Sequence, residues 1–285
     1  MDKLKIAIQK GGRLSEKSLS LLKECGIQLS NGERKLKSVS SNFPLEVLFL
    51  RDDDIPQYVE QGVADIGILG ENEVAEQQKN VATIKKLGFA SCRLSLAIPK
   101  DEQYQGLSYF EGKRIATSYP KILSAKLRQS NVDAEIETIG GSVEIAPGIG
   151  LADGIFDIVS TGSTLQLNGL KEVETLMESE AVLISNRFLT KEVDVLLQKL
   201  LFRMDAVRSA AENKYILLNA PNNAIDEISR ILPGMKSPTV LPLLEEGWSS
   251  VHSVIREDDF WDVIDQLKAL GAQGILVTNI EKMIV

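Results

Sequence analysis

The sequence predicts an α/β protein of two lobes with a cleft between them, followed by a smaller unit of order βαββαβ. Three observations carry that expectation. Strand-like and helix-like patterns alternate in two successive stretches of about 90 residues each, the grammar of sheets flanked by helices. After one long amphipathic helix the order of elements changes. The last stretch, 212–285, also differs in charge, with six Lys and Arg against eleven Asp and Glu.

Leu4–Gln9 reads as a strand, and Leu14–Cys25, with Leu14, Leu19, Leu21, Leu22 and Cys25 on one face, as a helix ended by Gly26. Leu45–Leu50 is a second strand. Asp53–Gln61 is a short helix, with Asp53 or Asp54 as its cap, Pro56 in its first turn and Gly62 at its end. Ala64–Leu69 is a strand, and a helical stretch follows to Gln78; a mostly parallel sheet is expected. The second stretch repeats the pattern: strands at Arg93–Ile98 and Arg114–Thr117, Pro120 opening a helix, a strand at Ala134–Ile139 leading through a glycine pair to a helix, and a buried strand at Ile155–Ser160. Ligands of such folds sit at the C-terminal ends of strands, where lobes face each other. Phe188–Ala211 is the long helix. Beyond it come strand Lys214–Leu218, helix Asn223–Leu232, strands Thr239–Leu244 and Ser249–Arg256, helix Asp259–Leu270 and strand Gly274–Thr278, which is the ferredoxin-like order.

Composition removes several kinds of chemistry. The chain has 285 residues, 44% of them hydrophobic and 25% charged, enough apolar material for real cores. Its net charge of −8 opposes a surface for nucleic acid, so any phosphate site must be local. No stretch reaches the roughly 20 apolar residues of a membrane span. Charges at Asp2, Lys3 and Lys5 stand where a signal peptide needs its apolar core, so a cytoplasmic address is expected. The two cysteines, Cys25 and Cys92, lack metal-site spacing, and the one histidine, His252, leaves no ordinary Ser-His-Asp or Cys-His machine. The chemistry must run on carboxylates, Lys and Arg, hydroxyls and backbone amides.

Four segments offer such groups. Asp157-Ile158-Val159-Ser160-Thr161-Gly162-Ser163-Thr164 brings an acidic strand end to a small hydroxylated turn at a helix start. It reads as a phosphate cradle, with Gly162 allowing close backbone approach and Asp157 placed for ribose hydroxyls, or as an ordinary strand-to-helix turn with a hydroxyl cap. Gly140-Gly141-Ser142-Val143-Glu144 is either a helix cap or a second loop that sets Glu144 beside Asp157. Such a carboxylate pair suits ribose hydroxyls, or a magnesium ion held mostly by water and pyrophosphate. Gln9-Lys10-Gly11-Gly12-Arg13 puts two cations at a sheet edge, facing a phosphate or solvated. Arg51, at the head of Asp52-Asp53-Asp54, either points into the cleft or joins a solvated helix start.

These segments, with Asp65-Ile66-Gly67-Ile68-Leu69-Gly70, Cys92-Arg93-Leu94, Arg114-Ile115-Ala116-Thr117-Ser118-Tyr119-Pro120 and Gly150-Leu151-Ala152-Asp153, occur in one order along the chain. As an ordered set spanning nearly the whole length, they resemble the ATP phosphoribosyltransferases of histidine biosynthesis, in the long form with a C-terminal regulatory domain. The resemblance implies a periplasmic-binding-protein-like catalytic body and an ACT-like, ferredoxin-like tail. Lobe I would comprise 1–91 and 185–211, lobe II with the phosphoribosyl pyrophosphate cradle 92–184, and the regulatory domain 212–285.

The implied reaction joins N1 of ATP to C1 of phosphoribosyl pyrophosphate and expels pyrophosphate, with Mg²⁺ as cofactor. It needs no protein nucleophile. Asp157 and Glu144 would face the ribose hydroxyls, and Thr161, Gly162, Ser163 and Thr164 the 5′-phosphate. Lys10, Arg13 and Arg51 would serve the phosphates of either substrate, with Arg114 and Tyr119 as further cleft residues. Mg²⁺ would arrive through the substrate pyrophosphate, with no protein ligand assigned. The tail would bind L-histidine as feedback inhibitor, between neighbouring subunits, through Ser237 and Thr239 of Ser237-Pro238-Thr239 with Asn219 and Gly274 nearby. The family often has a carboxylate near the position of Asn219. Competition by AMP or ADP and a homo-oligomer, from dimer to hexamer, follow from the same resemblance. The competing reading is a non-catalytic bilobal small-molecule-binding or regulatory subunit. It shares the two-lobe grammar, but no signal segment, helix-turn-helix or basic face supports a transport or DNA-binding version.

Overall fold

The computed structural model describes residues 2–30 and 36–284. The chain divides into two compact units, Met1–Ser20 with Gln28–Asp194, and Leu21–Ile27 with Val195–Val285.

The first unit holds two sheets. Its opening elements are β1 (Leu4–Gln9), α1 (Arg13–Glu24, counted with the second unit from Leu21), β2 (Lys37–Val39), β3 (Leu45–Leu50), α2 (Ile55–Glu60), β4 (Ile66–Gly70), α3 (Glu71–Gln77) and β5 (Ala82–Lys86). Then come β6 (Cys92–Pro99), β7 (Arg114–Thr117), α4 (Pro120–Gln129), β8 (Glu135–Thr138), β9 (Gly154–Val159), α5 (Ser163–Leu167) and β10 (Leu170–Ser179), and β11 (Ala181–Ser185) follows. The first sheet has the order β2-β3-β1-β4-β11-β5 and the second β10-β6-β9-β7-β8.

The centre of the first sheet is parallel, with β1 between β3 and β4. These strands are nearly continuous apolar runs, as burial on both faces requires. The expected parallel character recurs in the second sheet, where β7 runs parallel to β8 and β9, but it does not hold elsewhere. β2 runs antiparallel to β3, β11 to both β4 and β5, and β6 to both β9 and β10. The antiparallel strands include those that carry the chain between sheets, and Glu180 alone separates β10 from β11. Because β11 pairs in the first sheet, the chain leaves the second sheet at Glu180, four residues before the expected return after 184.

The second sheet packs two cores. Leu94, Leu96, Ile98, Ile115 and Phe156 meet Phe110 and the Leu123–Leu127 side of α4. Ala97, Ala116, Ile155 and Val159 meet Val143, Ala146 and Leu165. Asp157 shares the second face, two residues from Ile155 and from Val159, and lies near the C-terminal end of β9. Gly154 opens that strand where no side chain fits: an added Cβ would lie 2.7 Å from Phe110 Cε1 and 3.0 Å from the Ala97 carbonyl oxygen. Gly154→Ala is therefore expected to destabilise the protein by about 2 kcal/mol through overpacking, read as a Tm lowered by about 5 °C. An unchanged Tm would contradict the packing described.

In the second unit, α6 (Lys191–Ala211, counted here from Val195) precedes β12 (Asn213–Pro221), α7 (Ile225–Ile231), β13 (Thr239–Pro242), β14 (Trp248–Arg256), α8 (Glu257–Ala269) and β15 (Gln273–Asn279). The sheet order is β13-β14-β12-β15 and every pairing is antiparallel, which is the ferredoxin-like arrangement expected. Ile216, Leu218, Ala220, Val251 and Ile255 face Ile228 of α7 and Leu267 of α8. The long helix starts at Lys191 rather than at Phe188, whose ring is almost fully exposed. Among the described residues no helix is long and apolar enough to cross a membrane.

Candidate active site

The loop from β9 to α5 forms one wall of a pocket of about 400 Å³ lined by Arg13, Glu144, Asp157 and residues 158–165. Arg13 comes from the first lobe's glycine turn, and Glu144 from the turn after β8. Gly162 takes φ +78°, a left-handed conformation that costs glycine little. Its amide and those of Ser163, Thr164 and Leu165 begin α5 and so have no intrahelical acceptor. The Thr161 hydroxyl lies 3.0 Å from that of Ser163. Hydroxyls, amides and a guanidinium thus border one space, a set that suits an oxyanion. α5 has only five residues, so the donors are these groups rather than a long helix dipole.

Asp157 is the unusual group. Burial pushes its carboxyl up to about 6, the Ile158 amide at 2.8 Å opposes that, and the Glu144 charge adds to the rise. The two carboxylates expected on neighbouring loops are therefore close enough to interact. Glu144 does not follow a helix cap. Ser142 has φ +53° with no side-chain cap bond, and two 3₁₀ turns, Val143–Ile145 and Pro147–Ile149, stand where a helix is expected.

The other cations sit differently. Lys10 follows β1 and Arg51 follows β3; the Lys10 amide donates to the Leu50 carbonyl at 2.8 Å, so the two stand just past adjacent strand ends of the first sheet. Neither lines the pocket of Arg13. Arg51 makes a two-pronged bond to Asp53, at 3.1 and 3.0 Å, which takes the carboxylate expected to cap α2. That helix has no side-chain cap bond. Arg114 is not brought to the pocket. It opens β7, at the sheet end opposite to the β9–α5 loop, and binds the Gly150 carbonyl at 3.0 Å with Asp153 beside it.

Tyr119 is buried rather than open in the cleft. Its hydroxyl donates to Glu73 Oε1 at 3.1 Å and accepts from Asn72 Nδ2 at 3.1 Å. Burial first, then the Glu73 charge, pushes its phenol up. Asn72 also donates its backbone amide to the Ser179 hydroxyl and accepts from it at Oδ1. Glu76 accepts the Lys121 and Ile122 amides at 3.0 Å each, capping α4 from α3. This polar seam joins the lobes, and of its members only Tyr119 has a signal in the sequence. Its partners lie 45 to 107 positions apart along the chain, so no local pattern marks them. Arg93, marked in the sequence as part of Cys92-Arg93-Leu94 but with no role there, binds Glu172 and the Ser160 carbonyl at the head of the pocket loop.

In the second unit, Asn219 and Gly274 are neighbours, since a Cβ at Gly274 would lie 3.6 Å from Asn219 Nδ2. Thr239 pairs with His252 of β14, two strands from Asn219, and Ser237 precedes β13. A pocket of about 460 Å³ in this unit is lined by Arg230, Gly234, Met235, Val254, Arg256 and Asp262, among others, and by none of the four. His252 is held by Tyr215 Oη at 2.6 Å and Ser250 Oγ at 3.1 Å on the sheet face away from the helices.

Two α/β lobes with a ligand-sized pocket at strand ends define a bilobal binding fold. The same fold class is seen in a histidine kinase sensor domain with similarity to periplasmic binding proteins, at a TM-score of 0.50 over 73% of this chain and 90% of that one, with 10% identity. The family model described as ATP phosphoribosyltransferase matches residues 51–206, and that of the HisG C-terminal domain matches 210–282. Proteins named ATP phosphoribosyltransferase from Bacteroides fragilis and Cytophaga hutchinsonii are 60% and 57% identical over 282 and 281 residues, covering 99% of this chain and 100% and 98% of theirs. The solved ATP phosphoribosyl transferase (HisG:HisZ) complex from Thermotoga maritima matches with a TM-score of 0.61 and 30% identity, over 71% of this chain and 98% of that one. The chain belongs to the ATP phosphoribosyltransferase family, in its long form. It is a pentosyltransferase that moves the phosphoribosyl group of phosphoribosyl pyrophosphate to N1 of ATP and releases pyrophosphate, the first step of histidine biosynthesis.

Proposed function

We propose that the pocket of Arg13, Glu144, Asp157 and 158–165 binds the phosphoribosyl donor. Its joining of helix-start amides and hydroxyls to a carboxylate pair carries this reading. Thr161, Gly162, Ser163 and Thr164 would hold the 5′-phosphate, and Asp157 and Glu144 the ribose hydroxyls. The N1 lone pair of ATP forms the new bond to C1 as the bond to pyrophosphate breaks, and pyrophosphate leaves with the electron pair. No side chain is transiently modified, which agrees with a chain whose one histidine lies in the second unit. Arg13, with Lys10 and Arg51 on the same sheet edge, would neutralise phosphate oxygens as charge collects on the leaving group. Lobe II would thus carry the donor cradle, lobe I would add cations for the phosphates of either substrate, and the C-terminal domain would regulate.

A divalent cation fits this donor set. Among the described residues no group of three or more His, Cys, Asp or Glu side chains could hold a metal by itself. Two carboxylates beside a pyrophosphate site suit Mg²⁺, a hard cation that keeps water and substrate oxygens as ligands. Bound with pyrophosphate, it would supply further charge neutralisation. Addition of a chelator is therefore expected to abolish turnover and leave Tm unchanged. Loss of folding on chelation would contradict a cation that arrives with substrate.

The C-terminal unit would bind L-histidine through Asn219, Ser237, Thr239 and Gly274. Because Asn219 and Thr239 lie two strands apart, the site would be completed by a neighbouring subunit of a homo-oligomer, from dimer to hexamer. AMP and ADP would compete for the ATP subsite, and the protein would work in the cytoplasm. The test is formation of phosphoribosyl-ATP from ATP, phosphoribosyl pyrophosphate and Mg²⁺, followed by absorbance with pyrophosphatase present, with and without L-histidine. Suppression by histidine is expected. Turnover indifferent to histidine would remove the regulatory reading.

A further inference from the structure

We propose that Arg93 is a positioning residue for the phosphoribosyl donor, acting by fixing the loop 160–164 from behind. This rests on the assignment of that loop to the donor. Arg93 lies on β6 opposite Val159 of β9, and its neighbour Ser95 lies opposite Asp157. Residues opposite each other across an antiparallel pair share a face, so Arg93 stands on the sheet face that presents Asp157. Its guanidinium donates through Nε and Nη2 to the two Glu172 oxygens, at 2.5 Å each, and through Nη1 to the Ser160 carbonyl at 3.1 Å.

Each contact has a distinct consequence. The fork to Glu172 fixes the guanidinium plane, because a bidentate pair sets orientation as well as distance. Glu172 is itself held by the Thr175 hydroxyl at 3.3 Å, and that hydroxyl lies 3.0 Å from Ser95 Oγ. Arg93, as the largest influence, keeps the Glu172 carboxyl below the usual range. The third contact spends this rigidity on the loop. In a trans peptide plane the Ser160 C=O and the Thr161 N–H point in opposite directions, so anchoring one aims the other. The loop then turns through Gly162 at φ +78° into α5, and a rotation of its first peptide would re-aim every amide after it. Arg93 is not among the residues lining the pocket, so it acts through the loop and not on the ligand.

The test is steady-state kinetics of the full-length enzyme with ATP and phosphoribosyl pyrophosphate varied separately, for Arg93→Met, Arg93→Lys and Glu172→Gln. Arg93→Met keeps much of the side chain's length and removes every donor. It is expected to raise the KM for phosphoribosyl pyrophosphate about tenfold, as loss of one charge-assisted hydrogen bond does, with the ATP KM and kcat changed less than about threefold. Arg93→Lys should recover part of that loss. Glu172→Gln should raise the donor KM about threefold, and the Arg93→Met Glu172→Gln pair should be no worse than Arg93→Met alone, because both act through one carbonyl. Equal movement of both KM values, or a donor KM indifferent to Arg93→Met, overturns the proposal. Should Arg93→Met fail to fold, an unchanged donor KM in Glu172→Gln and Arg93→Lys overturns it equally. Asp157→Asn separates the two levels. If it raises the donor KM while the Arg93 variants do not, the positioning role falls alone. If neither moves that KM, the donor assignment falls and takes this inference with it.

Discussion

Asp157→Asn is expected to lower kcat/KM for phosphoribosyl pyrophosphate about a hundredfold, with a much smaller change in the KM for ATP. The substitution keeps size and one acceptor oxygen but removes the charge that makes hydroxyl-to-carboxylate bonds strong, at about 1.5–3 kcal/mol for each bond lost. The pH profile gives a second readout. Burial and Glu144 hold the Asp157 carboxyl at about 6, so in the free enzyme the proton leaves as pH rises through that value. The ribose hydroxyls need the ionised form, and kcat/KM, which reports the free enzyme, should therefore climb between about pH 5 and 7. The donor's own 5′-phosphate also titrates near 6, so the wild-type profile alone is ambiguous. The asparagine variant resolves it: a shallower climb is expected, with only the substrate's proton left. Wild-type kinetics in this variant, or a loss confined to ATP, would move the donor elsewhere.

The sequence showed most clearly what local chemistry imposes. Leu4–Gln9, Leu45–Leu50 and Arg114–Thr117 are strands with the expected ends, because each is a short apolar stretch carrying only one charge. The βαββαβ tail was legible because Pro233-Gly234, Glu246-Gly247 and Gly271 punctuate it. β10 was not legible. Leu170–Ser179 carries Lys171, Glu172, Glu174 and Glu178 among its apolar residues and pairs with β6 through two register shifts, so neither alternation nor a continuous run survives. β11, although wholly buried, follows β10 after one residue and gives no separate signal. The same distinction governs the site. Asp157, Gly162 and the hydroxyls announce themselves within eight residues. Arg93 with Glu172, and Tyr119 with Glu73, depend on partners 79 and 46 positions away, and Arg114 was drawn toward the cleft only by its place in a motif, although it sits at the wrong end of its strand.

The seam between the lobes predicts a stability effect of comparable size. Glu73 accepts from Tyr119 and Asn72 in a part-buried site, with the negative Asp52 and Asp53 nearby and Gln77 as a further partner. Burial first, then Asp52, pushes its carboxyl up to about 7, against an ordinary value of 4.5. A raised acid binds its proton more tightly folded than unfolded. Below about pH 4.5 both states are protonated and the seam contributes fully. As pH climbs from there toward 7 the unfolded chain ionises first, and stability falls. Above 7 the deficit levels off at about 2–3 kcal/mol. Glu73→Gln mimics the protonated form: its side-chain oxygen still accepts from Tyr119, and no charge remains to repel Asp52. The variant is therefore expected to match the wild type at pH 5 and to exceed its Tm by about 5 °C at pH 8. A gain of the same size at both pH values would locate the effect in packing rather than in the charge. A loss at pH 8 would mean that the ionised carboxylate holds the lobes together, and that Tyr119 and Asn72 stabilise its charge more than burial opposes it.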